Sequence, residues 1–142
     1  MKSLSIFGTD SAGRLTMSLY NNNGRPVYST GVKVLLDKIA LYLLTTIGSS
    51  LLNPSLGSTV TSIKRTSTTQ DITKIRALIT STLADIESRI LSDQLTQPPD
   101  RDDQTLIELH LMQVLQDPTQ LDQILVEILV KTKSNQSYIL TV

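Results

Sequence analysis

Val32, Leu35, Leu36, Ile39, Leu43 and Ile47 recur at steps of three and four residues, which places them on one stripe of a helix. Val34, Leu41 and Leu44 widen the stripe, so burial on more than one side is expected. Thr30-Gly31 opens this segment, and Gly48 stands just past its last periodic residue, where a left-handed residue commonly ends a helix. A second stripe of Ile72, Ile75, Ile79, Leu83, Ile86 and Ile90 predicts another long helix, with Thr68 and Asp71 as a loose capping pair. Between the two, Ser49 to Thr69 carries no helical period and reads as a loop. At about twenty residues such a loop exceeds ordinary connections and is usually functional.

Beyond the second helix the period changes from 3.6 to 2. Gln97-Pro98-Pro99-Asp100-Arg101-Asp102 breaks the helix and sends the chain out as an extended connector. Ile107, Leu109 and Leu111 alternate within Leu106 to Leu115, though the later half of that stretch fits a helix equally. Ile124, Val126, Ile128 and Val130 share one face of a β-branched segment. Lys131 to Ser137 reads as a polar turn, and Tyr138-Ile139-Leu140-Thr141-Val142 as a strand reaching the last residue. Near the other terminus, Gly8, Asp10, Gly13 and the run Asn21-Asn22-Asn23-Gly24 punctuate short segments. Leu15 to Leu19 alternates as a half-buried strand; Arg25 to Thr30 either pairs with it as an irregular hairpin or runs as an arm, and Pro26 weighs against a central strand. The expected fold class is α+β. Two main helices pack on a small C-terminal mixed or antiparallel sheet. Residues 1–30 form an irregular arm or hairpin and 31–142 a single α+β domain.

Composition narrows the functional classes. The 142 residues suit one domain, and 39% hydrophobic content supports a real core. Thirteen basic and thirteen acidic side chains cancel, with no basic cluster of the kind nucleic acid requires. The chain has no cysteine, so disulfides and thiolate metal sites are excluded. Charged residues are only 18%, which fits faces covered by neighbours, since charged groups are costly to desolvate. Leu4 to Gly8 is too short and interrupted for a signal-peptide core, and the most apolar stretch, Ile39 to Leu44, falls far below the roughly 20 residues that span a bilayer. A soluble protein made in a cytoplasm, with no membrane partner, is expected.

Catalytic chemistry finds little support. Asp85 and Glu87 point to different faces of one helix, and Asp100, Asp102 and Asp103 lie in the connector, so all read as solvated charge. A glycosidase needs two carboxyls across a cleft, one in an apolar pocket. His110 is the sole histidine and reads as a surface or interface side chain, leaving no histidine metal cluster. Gly8-Thr9-Asp10-Ser11-Ala12-Gly13 lacks the Lys-Ser/Thr end of a phosphate loop and reads as a turn. No cofactor and no metal are expected.

One block is more specific. Gly31, the helix Val32 to Leu44, Thr45-Thr46-Ile47-Gly48-Ser49 and then Asn53-Pro54-Ser55-Leu56-Gly57-Ser58 resemble a pattern of the baseplate wedge, or sheath-initiator, family of contractile-tailed phages. That pattern is a helix, Leu-Leu-Thr, Gly-Ser and Asp/Asn-Pro-x-x-Gly; related proteins occur in type VI secretion systems. The order downstream is similar too, so the resemblance runs from Gly31 to Val142. Where the family often carries Glu-Pro-Arg, this chain has Pro98-Pro99-Asp100-Arg101, leaving a proline and Arg101 to stand in. The first thirty residues match nothing in the family. The resemblance implies a structural virion protein of the tail baseplate, assembled in the host cytoplasm as a ring of copies, six in the family. Its partners would be the tail sheath protein, other baseplate wedge proteins, and tail tube or hub proteins, with Gly48, Ser49, Asn53, Pro54 and Gly57 as the loop motif and Arg101 as an interface anchor.

The residues carry a matching expectation of their own. Tyr138, Ile139, Leu140, Thr141 and Val142 contain neither proline nor charge, the usual means of blunting a sheet edge. Such an edge either completes an internal sheet or accepts a strand from a partner. The rival readings are a non-catalytic adaptor binding through its helices and a peptidoglycan hydrolase, which a turbidity assay distinguishes.

Overall fold

The computed structural model describes residues 3–4, 7–9, 15–17, 28–66, 72–116 and 124–142. The segment Ile124–Thr132 alternates strictly between buried and half-buried positions, so Ile124, Val126, Ile128, Val130 and Thr132 all face inward. It is the centre of a three-stranded antiparallel sheet. With the remaining strands numbered along the chain, β5 is Leu106–Gln116, β6 is Ile124–Thr132 and β7 is Ser137–Thr141, in the order β5-β6-β7. Inner-face residues line up across all three strands, with Leu109 opposite Val130 opposite Tyr138, and Leu111 opposite Ile128 opposite Leu140. Val142 prolongs the β7 ladder, since its N–H and C=O each bond Val126 at 2.9 Å.

β5 differs from its expected pattern in two ways. Its later half is strand rather than helix, because it stays paired to β6 as far as Gln116 opposite Ile124. Register shifts between Leu106 and Glu108 and again between Leu111 and Gln113 interrupt the alternation. A bulge sets two residues against one and changes the phase of the side chains. Ile107 is therefore 49% exposed while Leu106 and Leu109 are buried, so Ile107 does not share a face with Leu109.

Three α-helices occur among the described residues: α1, Val32–Leu44; α2, Val60–Thr66; and α3, Ile72–Thr96. α3 buries Ile75, Ile79, Leu83, Ile86 and Ile90 along its length, the stripe its spacing predicts. α1 buries Leu35, Ile39, Ala40, Tyr42 and Leu43 but stops earlier than its apolar period, because Thr45 is extended (φ −84°, ψ 128°). Ile47 thus leaves the helix and is exposed, and Gly48 belongs to the following loop rather than to a helix cap. The α2 segment was expected to be loop. It is helical for seven residues, and Val60 and Ile63 are its only apolar positions, both buried, too few to register a period. The Ser58 hydroxyl accepts from Val60 N–H at 3.3 Å at its start. The capping pair Thr68–Asp71 lies outside the described residues.

Near the N-terminus, β1 (Ser3–Leu4) pairs with β4 (Tyr28–Ser29), and β2 (Phe7–Thr9) with β3 (Leu15–Met17), both antiparallel. The strand at Leu15 therefore pairs backward with Phe7–Thr9 and not forward with the segment before α1. Alternation specifies which face a side chain takes, not which strand it meets. The Asn21–Gly24 turn lies outside the described residues. Ser29 is buried beside α1, where its hydroxyl donates to the Asp37 carboxylate.

The apolar stripes of α1 and α3, Val60 and the inner face of the sheet form one continuous core. Ile86 is 1% exposed at its middle. Ile86→Ala is expected to lower unfolding free energy by about 2–5 kcal/mol in urea titrations. Ile72→Ala, at the half-exposed start of α3, should stay within about 0.5 kcal/mol of the parent.

Candidate functional site

A three-stranded sheet has two edges, and this protein treats them differently. In an antiparallel ladder the N–H and C=O of one residue point to the same side, alternating along the strand. On β5 the groups of Leu106 and Leu109 point away from β6, and α3 supplies partners for them. Glu87 Oε2 accepts from Leu109 N–H at 2.9 Å. The Gln94 amide, in the orientation that satisfies both groups, accepts from Leu106 N–H at 2.8 Å and donates to Leu106 C=O at 3.3 Å. Glu87 and Gln94 lie two turns apart on α3, so one helix face serves a strand edge running beside it. Glu87, expected to be solvated charge, is half-buried in this role; Asp85 is exposed. The pattern Glu87-x6-Gln94 was the available signal, but only the register of β5 gives it meaning.

Among the described residues, β7 has no such cover. Val142 bonds inward to Val126, so by alternation Leu140 and Tyr138 also bond toward β6. Ser137, Ile139 and Thr141 then direct their N–H and C=O groups outward, and no described residue bonds them. Of the residues singled out at this strand, Leu140 and Val142 are buried and Tyr138 is half-buried on the inner face. Thr141 and Ile139 lie on the outer face, with Ile139 61% exposed. The five are thus brought together as an edge, but they divide between anchoring the strand and presenting it. On the outer face, Ile139 lies in register with Leu129 and His110. His110 and Lys131 both pair with Glu108. The Lys131 ammonium, hydrogen-bonded to the Glu108 carboxylate, and the nearby imidazole hold that carboxyl below its usual range.

The loop motif is a separate, closed structure. Thr46 and Ser58 form a parallel bridge, with Ile47 N–H donating to Ser58 C=O at 3.2 Å and Ser58 N–H to Thr45 C=O at 2.9 Å. Inside it, Gly48 N–H donates to Pro54 C=O at 3.0 Å, the Ser49 hydroxyl to Thr46 C=O at 2.6 Å, and the Ser55 hydroxyl to Asn53 Oδ1 at 2.7 Å. Arg89 reaches from α3 to the Ser55 carbonyl at 2.6 Å, tying the loop to the helix. Gly57 is obligatory on two counts: its φ is +106°, and a Cβ there would stand 2.4 Å from Thr45 O. At the loop tip Leu51 and Leu52 are 99% and 100% exposed, held out by this framework. Sequence reading found the motif but not the leucines' exposure.

Arg101 joins neither feature. Its Nε pairs with Asp103 at 3.1 Å and the side chain stays largely exposed. Asp102, in the same turn, pairs with Lys133 at 3.1 Å. A cavity of about 540 Å³ lies between α1 and the end of α3, lined by Leu35, Lys38, Asp93, Pro98, Pro99 and Gln104 among others. Its carboxylate Asp93 is tied to Lys38 at 2.9 Å and accepts from the Tyr42 hydroxyl at 3.4 Å. Burial, then the charge of Asp93, raises the Tyr42 phenol above its ordinary range. No described helix is long and apolar enough to cross a membrane.

Comparison with known proteins finds no family model that matches this chain, and no similar curated protein or solved structure.

Three substitutions test this geometry. Gly57→Ala is expected to lower stability by about 1–3 kcal/mol through the strained φ, seen as a reduced Tm. Glu87→Ala leaves Leu109 N–H without its carboxylate and should cost about 1–3 kcal/mol in chemical denaturation, whereas Asp85→Ala should cost almost nothing.

Proposed function

We propose that this protein is a non-catalytic assembly component of a contractile tail baseplate, in which β7 accepts or donates a strand to nucleate the sheath around the tail tube. The observation that carries this reading is the open β7 edge: Ser137, Ile139 and Thr141 direct three N–H and three C=O groups outward with no described partner, while α3 serves β5 at Leu106 and Leu109. An added strand would gain main-chain bonds there and alternate side-chain contacts. The resemblance of the Gly48 to Ser58 block to sheath-initiator proteins supplies the sheath protein, other wedge proteins and tube or hub proteins as partners, and a ring of copies as the setting. It also supplies the virion baseplate as the location.

Energetics favour such a setting. Six bonds at about 0.5–1.5 kcal/mol each give roughly 3–9 kcal/mol. Association costs roughly 4–15 kcal/mol in lost freedom, so one edge alone binds weakly. Copies linked in a ring would convert weak edges into a firm attachment through effective concentration.

A second reading, an adaptor binding through α1 and its loop, is favoured by the exposed Leu44, Ile47, Leu51 and Leu52 at one end of the molecule. Several exposed apolar side chains close together in sequence are a common feature of protein contacts.

A pull-down with the cognate sheath protein separates the two. Deleting Tyr138 to Val142 would also remove the buried Leu140 and Val142, so a proline at an outward N–H is the cleaner variant. Thr141→Pro removes one edge donor while sparing the bonds to β6, and is expected to weaken sheath capture about tenfold. Full capture by Thr141→Pro together with loss by a Leu51→Asp, Leu52→Asp variant would replace strand addition with the adaptor.

A further inference from the structure

The β7 edge is complementary to itself, and the geometry points to a second copy of this chain as its occupant in the free protein: two β7 strands pair antiparallel about a two-fold axis, joining two sheets into one of six strands. This inference uses the open edge described above and does not depend on the tail-assembly reading. The outward groups belong to Ser137, Ile139 and Thr141, placed symmetrically about Ile139. An axis through Ile139 sets Ile139 opposite its counterpart, and Ser137 opposite Thr141 twice over. Each opposed pair exchanges two hydrogen bonds. Moving the axis to Leu140 or Tyr138 leaves Ser137 or Thr141 unopposed and loses two of the six bonds.

Side chains agree with that register. On the outer face Ile139 meets its counterpart, each backed by Leu129, and the Ser137 hydroxyl meets that of Thr141. On the inner face Tyr138 stands opposite Leu140, extending the apolar row that runs through Ile128 and Val130. Lys131 lies beside Ser137 and Glu127 beside Thr141, so each row runs from the Lys131 of one copy toward the Glu127 of the other. Like charges never face one another. Residues 137–142 carry no proline or charge to oppose the pairing. The self-paired state covers the same groups an incoming strand needs, so a second copy and a partner strand compete for them.

The chain's lack of cysteine makes the register measurable. Directly opposed residues of a hydrogen-bonded pair lie about 5.5 Å apart at Cα, within disulfide range. Ile139→Cys is expected to give a disulfide-linked dimer on mild oxidation. Ser137→Cys, whose counterpart is Thr141, should give about tenfold less under the same conditions. Sedimentation equilibrium of the unaltered chain up to about 1 mM should show dimer mass, the range in which such weak contacts populate. Ile139→Lys, at an exposed position, should be monomeric with an unchanged circular dichroism spectrum. Monomer mass for the unaltered chain throughout, or equal cross-linking from positions 137 and 139, would overturn the self-paired edge. Neither result involves a sheath protein, so failure here leaves strand addition to be judged by its own pull-down.

Discussion

Glu87 reaching the backbone of Leu109, with Gln94 two turns on at Leu106, is the contact from which the rest of the molecule takes its sense. Backbone donors and acceptors along a sheet edge must be bonded by protein or left in water. By serving Leu106 and Leu109 from α3, the fold ties the long helix to the first half of β5. The isoleucine stripe of α3 then faces the core, and the outward bulge at Ile107 follows from the same docking, because Leu106 and Leu109 must both turn inward.

That arrangement explains how a chain with few charges manages a sheet with an open side. The charged residues near the sheet are spent within it: Lys131 and His110 on Glu108, Lys133 on Asp102, and Glu87 on β5. None guards β7. The loop after α1 shows the same economy, held by backbone bonds, the Ser49 and Ser55 hydroxyls and the reach of Arg89, with two leucines at its tip. Both surfaces are uncharged and firmly held, which suits contact with protein partners.

Much of this was legible in the residues. The spacing of Ile75, Ile79, Leu83, Ile86 and Ile90 specified α3, and the alternation from Ile124 to Val130 specified β6, because a dominant period on one face is a strong physical signal. The α+β architecture follows from those two. α2 escaped because two apolar positions make no period, and α1 ended early because its apolar run outlasted its backbone geometry at Thr45. Pairing near the N-terminus escaped because alternation names a face and not a neighbour. At the candidate site, the uncharged end of the chain was plain, but the division of labour within it was not. Which of Tyr138 to Val142 bond inward depends on the register set by Val142 and Val126.

The two bulges of β5 have a consequence for assembly as a whole. Bulges bend and over-twist a strand, and here the bulged strand is also the one α3 serves at Leu106 and Leu109, which makes β5 a poorer template for a further strand than β7. A unit with two good edges propagates, adding copies without limit as fibres do. A unit with one good edge can only terminate a run of strands or join two runs, so the bulges of β5 bias any strand addition toward β7.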